Sequence, residues 1–163
     1  MIILGIDPGT ATTGYGVVFV KNINNTNKDN FKCLNYGSIK TSPEMAMPQR
    51  LKKIHNELTQ ILKTYQPKVM AVESLFFFKN LKTALPVSQA KGVILLTAAK
   101  KNIPVHEFTP PQVKMLIAGS GKAEKTQVQE KIQSIFGLKD LRKSDDAADA
   151  LAIALTYVFA RNA

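Results

Sequence analysis

An α/β fold built on one five-stranded mixed sheet is the prediction for this 163-residue chain. Three observations carry it. Three strand-like stretches joined by polar turns occupy residues 2–40, the pattern of an antiparallel meander. From residue 48 onward helical and strand-like periodicities alternate, which implies parallel pairing in that half. Two short apolar runs, 2–7 and 68–73, each end in a carboxylate, so two buried strands deliver acids at their carboxyl ends.

Each element follows from its residues. Ile2-Ile3-Leu4-Gly5-Ile6-Asp7 is apolar and β-branched and is stopped by Pro8-Gly9, as expected of a central strand buried on both faces. An ionised Asp7 there costs on the order of several kcal/mol unless a cationic side chain, a metal ion or backbone N–H groups offset it. A polar turn over 10–13 leads to a second strand over 14–20. An Asn-rich hairpin loop follows over 21–30, and a third strand over 31–40. Pro48 suits a first helical turn, and Leu51, Ile54, Leu58, Ile61 and Leu62 recur at helical spacing up to Pro67. The fourth strand runs over 68–73. A long helical pattern over 81–102 precedes a fifth strand over 103–108, entered through Pro104. Pro110-Pro111 open a short helix ending near Gly119, and residues 123–136 form another, stopped by Gly137. Ser144 caps a last helix, rich in Ala and Leu, that runs to about Ala160. Residues 1–163 read as a single domain, without repeat or linker.

Composition bounds the function. The 45% hydrophobic content suits one globular core. The sequence shows neither a cleavable leader pattern nor the roughly 20-residue apolar stretch of a membrane helix, so a soluble, unexported protein without a membrane partner is expected. The single cysteine, Cys33, sits in a strand-like stretch, where an inert buried thiol in a reducing cytoplasm is the simplest reading. Lys and Arg number 22 against 12 acids, a formal charge of +10. Five of those acids (Asp7, Glu73, Asp145, Asp146 and Asp149) lie at or inside apolar segments, so the remaining surface is more basic still. Such an excess points to a polyanion, nucleic acid ahead of a membrane surface.

The acids carry the chemistry. On the last helix, 146 and 149 are three apart and 145 and 149 four apart, and both spacings put two carboxylates on one face. Asp145 and Asp146 also fit a first helical turn, where acids complement the dipole. Asp149, among Ala147, Ala148, Ala150, Leu151 and Ile153, needs a partner. If the last helix packs across the carboxyl ends of the first and fourth strands, its acids meet Asp7 and Glu73. Like charges gathered so closely call for cations. Hard oxygen ligands without His or Cys suit Mg²⁺ or Mn²⁺, and two such ions roughly 4 Å apart serve phosphodiester hydrolysis.

At these residues the chain resembles the RuvC family of Holliday-junction resolvases. The likeness rests on Gly5-Ile-Asp-Pro-Gly-Thr10, Gly14-Tyr-Gly16, Glu73 closing a strand, Gln89-Ala-Lys-Gly92, Gln112-Val-Lys114, Ala123-Glu-Lys125 and Asp146-Ala-Ala-Asp-Ala-Leu-Ala152, in order over nearly the whole chain. The resemblance implies a ribonuclease H-like fold, with sheet order 3-2-1-4-5, and a homodimer that nicks two opposed strands of four-way junction DNA, leaving 5′-phosphate and 3′-hydroxyl ends. It implies catalytic, metal-holding carboxylates at Asp7, Glu73, Asp146 and Asp149, with two Mg²⁺ per active site and Mn²⁺ as a substitute. Only the resemblance selects Asp146 over Asp145. A RuvA–RuvB branch-migration complex enters the same way as a further candidate partner.

Further residues complete the reading. Phe76 matches an aromatic that the family sets against bases at the junction, where stacking contributes about 1–3 kcal/mol per base. Phe77 and Phe78 read equally as packing or subunit contacts. Residues 112–143 hold seven basic side chains against three acids. Of these, Lys114, Lys122, Lys125, Arg142 and Lys143 are best placed near the expected site; Lys114 and Lys125 match family positions near the scissile phosphate, a solvated helix face suits the others better, and Lys122 is kept with Lys114 and Lys125 as a DNA contact. Gly119-Ser-Gly-Lys122 is not a nucleotide loop, because Leu116 replaces its first glycine and Ala123 its Ser or Thr. On the long helix Ala84, Ser88 and Gly92 recur every four residues, which would let a twin subunit approach. His55 and His106 lack metal-ligand spacing. Three other classes are weighed: a related ribonuclease H-like nuclease acting on another nucleic acid, an actin-like or sugar-kinase-like ATPase, for which 163 residues are too few to make two lobes, and a non-catalytic junction-binding module, which would need the basic surface but not the acids.

Overall fold

The two apolar runs take the middle of the sheet. Strand β1 (Ile2–Asp7) lies between β2 (Thr12–Val20), antiparallel to it, and β4 (Val69–Glu73), parallel to it. Strand β3 (Phe31–Lys40) pairs with β2 at one edge and β5 (Val105–Phe108) with β4 at the other. The order β3-β2-β1-β4-β5 is the one expected from the sequence. This computed structural model describes residues 1–74, 81–138 and 145–163, without the side chains of 81–83. Phe76, Phe77, Phe78, Arg142, Lys143 and the expected cap Ser144 lie outside the described residues.

Helices cover both faces, as strands that are apolar on both sides require. Leu4, Ile6, Val17, Met70 and Val72 pack against α1 (Met47–Tyr65) and α2 (Leu81–Ala99) through Ile54, Leu58 and Ile94. On the opposite face Ile3, Val18, Val69 and Ala71 meet α3 (Pro110–Ala118), α4 (Lys125–Phe136) and α5 (Asp145–Arg161). Among the described residues no helix is long and apolar enough to cross a membrane. Cys33 is half-buried, and burial pushes its thiol up to about 11, which keeps it protonated and unreactive at neutral pH.

Element ends shift where the backbone forces them. Helix α2 stops at Ala99 rather than near 102 because Asn102 turns left-handed (φ 53°) and Ile103 N–H donates back to the Ala98 carbonyl at 3.1 Å. Strand β5 then starts at Val105, since Pro104 has no N–H to give, although its carbonyl accepts Met70 N–H at 3.0 Å. Thr109 with Gln112 and Glu124 with Gln127 close the starts of α3 and α4 as reciprocal capping boxes.

The feature that positions the site is a glycine trench under α5. Gly5 faces Gly16 across β1 and β2, and Asp7 faces Gly14. A Cβ added at Gly5 would stand 2.0 Å from the Ala150 carbonyl oxygen, one at Gly14 2.1 Å from the Asp146 carbonyl oxygen, and one at Gly16 2.8 Å from the Leu151 side chain. Helix α5 therefore rests directly on sheet backbone, and its own Ala147, Ala150 and Ala154 are fully buried there. Gly5→Ala sets a methyl group against helix backbone, which has little room to yield. Overpacking of that kind costs about 3 kcal/mol or more, and each kcal/mol lowers the Tm of a chain this size by roughly 2–4 °C. Calorimetry on Gly5→Ala is thus expected to show a Tm about 6–12 °C below wild type; an unchanged Tm contradicts the close seating of α5.

Candidate active site

Three elements converge at the carboxyl ends of the central strands. The β1–β4 register, with Ile6 opposite Val72, sets Asp7 beside Glu73. Helix α5 brings Asp146 and Asp149, and Gly14, the strand partner of Asp7, lies beneath Asp146. All four carboxylates are half-buried. They act on one another electrostatically: burial pushes Asp7 up to about 8, and the charges of Glu73, Asp149 and Asp146 add to the rise, against Lys125. Burial, and after it Asp149, raises Glu73 to about 7, opposed by Lys125 and Lys114. Asp149 is also held above the usual carboxylate range, by burial first and by Asp145 and Asp146, despite its pairing with Lys125. Burial would lower the Lys125 ammonium, but its hydrogen bond and ion pair with Asp149 and its pairing with Asp145 raise it instead.

A cavity of about 200 Å³ opens onto this cluster, lined by Glu73, Lys114, Lys125, Asp149 and the apolar Val113 and Val128 among others. The structure thus brings together Asp7, Glu73, Asp146, Asp149, Lys114 and Lys125. It does not bring Lys122, which is exposed on the turn before α4 and is absent both from the cavity wall and from the charges acting on the acids. Phe76 lies outside the described residues.

The two neighbouring acids at the start of α5 separate in space. Asp146 sits on Gly14 and acts on Asp7, whereas Asp145 turns to α4, where its Oδ1 accepts Gln129 Nε2 at 2.9 Å and its Oδ2 lies 3.5 Å from Lys125 Nζ. Helical spacing alone leaves the pair equivalent. The glycines of β2 break the tie, because Asp146 is the residue whose backbone they admit. Sequence reasoning missed Gln129, an amide buried on α4 along with Val128 and Ile132; its place one turn after Lys125 was the available signal.

The donor set fits a hard divalent cation. Every candidate ligand is a carboxylate, and Asp7 and Glu73, raised first by burial and then by neighbouring acids, are groups whose ionised form a cation would favour. Two buried hydroxyls next to the strand ends, Thr10 Oγ1 and Ser74 Oγ, also have no hydrogen-bond partner among the described residues. The acids do not stand as a finished ligand set: among the described residues no three His, Cys, Asp or Glu side chains are close enough to hold a metal ion as placed. Lys125 Nζ, 2.9 Å from Asp149 Oδ2, supplies part of the neutralisation instead.

Comparison with known proteins bears on the same residues. A family model described as Crossover junction endodeoxyribonuclease RuvC matches residues 3–157. The chain belongs to the RuvC family. It is 49% identical over 158 residues to the Crossover junction endodeoxyribonuclease RuvC of Desulforamulus reducens, covering 96% of this chain and 93% of that one. To the protein of the same name from Caldicellulosiruptor saccharolyticus it is 46% identical over 158 residues, covering 97% and 92%. Among solved structures, T. thermophilus RuvC in complex with Holliday junction substrate superposes with a TM-score of 0.89 at 36% identity, covering 99% of this chain and 95% of that one. This RuvC-family chain therefore shares its fold with a junction-bound relative over nearly its full length.

Asp7→Asn keeps the shape of the side chain and removes the carboxyl whose ionisation burial and the neighbouring acids oppose. In EDTA the variant is expected to be more stable than wild type by about 1–3 kcal/mol, a Tm rise of roughly 3–9 °C, and Mg²⁺ is expected to narrow the gap by stabilising wild type preferentially. A lower Tm for the variant in EDTA contradicts the repulsive cluster.

Proposed function

We propose that this RuvC-family endonuclease works as a homodimer that resolves four-way DNA junctions by paired symmetric nicks, in recombination and repair, with residues 1–163 acting as one nuclease domain. The observation that carries the reading is the meeting of Asp7, Glu73, Asp146 and Asp149, drawn from three distant segments, beside Lys114 and Lys125 on a chain of formal charge +10. The four acids are the groups that would hold two Mg²⁺ ions, with Mn²⁺ as a substitute. Such ions supply the activation of water and the neutralisation of charge on the phosphate and leaving oxygen.

The chain's own residues do the rest. Asp7 and Glu73 are fixed by strand pairing and Asp146 and Asp149 by the seating of α5, so the acids are held in place before substrate arrives. Lys114 and Lys125 line the cavity from the α3 and α4 side and place positive charge where a phosphate would enter. The apolar wall of Val113 and Val128 limits water around them. Lys122, outside the cluster, is assigned to backbone phosphates of the DNA, and the Phe76 ring to bases. Hydrolysis in this mode leaves 5′-phosphate and 3′-hydroxyl ends.

Support for the dimer comes from α2. Leu85 (72% exposed) and Leu96 (59%) stand open with Gln89 and Gly92, all on one face at spacings of 4, 3 and 4. The 84/88/92 repeat read from the sequence borders this face: Gly92 belongs to both, and Ala84 and Ser88 are half-buried. A two-fold pairing of such stripes would present two active sites for opposed nicks. DNA as substrate and the protonated Cys33 thiol suit the cytoplasm.

Synthetic four-way junction, linear duplex and RNA–DNA hybrid, incubated side by side with Mg²⁺, test the reading. The junction is expected to be nicked preferentially, in symmetric pairs. Asp7→Asn is expected to retain junction binding while its cleavage falls by about 10³-fold or more. Preferential hydrolysis of duplex or hybrid favours a nuclease of other specificity, and unimpaired cleavage by Asp7→Asn overturns the catalytic assignment.

A further inference from the structure

Asp145 shares Lys125 with Asp149 and also receives a hydrogen bond from Gln129. Lys125 and Gln129 are one turn apart on α4; Asp145 and Asp149 are one turn apart on α5. The two pairs face each other in a chain of contacts from Asp149 through Lys125 and Asp145 to Gln129. Lys125 Nζ lies 2.9 Å from Asp149 Oδ2 and 3.5 Å from Asp145 Oδ2, and Gln129 Nε2 donates to Asp145 Oδ1 at 2.9 Å. Gln129 is 8% exposed, so its amide is fixed by packing and fixes in turn the carboxylate that receives it. Lys125 and Asp145 are about half exposed, 49% and 57% of their side chains, so solvent screens the attraction between them. The contact is therefore better suited to setting geometry than to adding stability.

We propose that Asp145 is a positioning residue for Lys125 and not a ligand of divalent cations. Held by Gln129, it gives the ammonium a second anchor at the rim of the cavity. When Asp149 turns its charge to a metal ion, Lys125 remains aimed at the entering phosphate instead of swinging into solvent. The inference rests on the nuclease reading above, in which Lys125 meets that phosphate. It also explains how the chain tolerates a fifth acid beside the cluster: its carboxylate is taken up by an ammonium and an amide of α4.

A double-mutant cycle with a metal-binding readout tests it. Asp145→Asn keeps the volume and an oxygen for Gln129 but loses the charge. Its single-turnover cleavage of a synthetic four-way junction is expected to fall about 3–10-fold, with Mn²⁺ affinity, read by electron paramagnetic resonance, within about threefold of wild type. In a Lys125→Gln background Asp145→Asn is expected to cost nothing further. Losses that multiply, a single variant that cleaves at the wild-type rate, or a tenfold or greater drop in Mn²⁺ affinity like that expected of Asp149→Asn would each overturn the inference. Wild-type protein that cuts junctions while one of those results appears refutes this inference alone. Wild-type protein that leaves junctions uncut refutes the functional reading and the inference with it.

Discussion

Helix α5 reaches the acids of β1 and β4 because no side chain stands between it and the sheet. At Gly5, Gly14 and Gly16 the helix backbone occupies the space a Cβ would need, and the buried alanines of α5 complete the contact from the other side. Two carboxylates at a helix start are commonplace, as are carboxylates at strand ends. What joins them into one site is the depth at which this helix sits. A shift of α5 away from the sheet by even the width of a methyl group would withdraw Asp146 from Asp7 and Asp149 from Glu73.

That depth has an electrostatic consequence. Burial first, and the charge of neighbouring acids after it, raises Asp7 to about 8 and Glu73 to about 7. The fold holds this arrangement because central strand pairing and α5 packing stabilise it from outside, and because Lys125 and Lys114 offset part of the charge. On the proposed function, the same repulsion that burdens the fold is what a hard cation would relieve, and the basic side chains on α3 and α4 that ease the cluster would also offer charge to a phosphate. Stability and function thus pull on the same few residues in opposite directions.

Much of this was legible in the sequence for identifiable reasons. The β1 and β4 runs, apolar on both faces and ended by acids, announced themselves through residue type, and β3 was read at its observed bounds, Phe31–Lys40. Helix periodicity located α1, α3 and α5, with Pro48 and Gly119 marking ends. Left-handed turns at Gln66 and Asn102 carry no comparable mark, so the end of α2 was set three residues late. Small residues at 84, 88 and 92 give a spacing on α2, and the exposure of Leu85, Gln89 and Leu96 beside Gly92 adds the azimuth that spacing alone does not carry. Asp145 and Asp146 were equivalent for the same reason: periodicity gives spacing on a helix, and only the glycines opposite it give rotation. Gln129 had no compositional signal, since an amide on a polar helix face looks the same whether it is buried or bathed in water.

The account stands on the four acids forming a single cation site. Diffraction at the manganese edge from crystals of the protein soaked in Mn²⁺ addresses that most directly. Anomalous peaks are expected among Asp7, Glu73, Asp146 and Asp149, with Asp145 left paired to Gln129. Crystals that show no peak there, or a peak ligated by Asp145 with Asp7 and Glu73 unengaged, would contradict it.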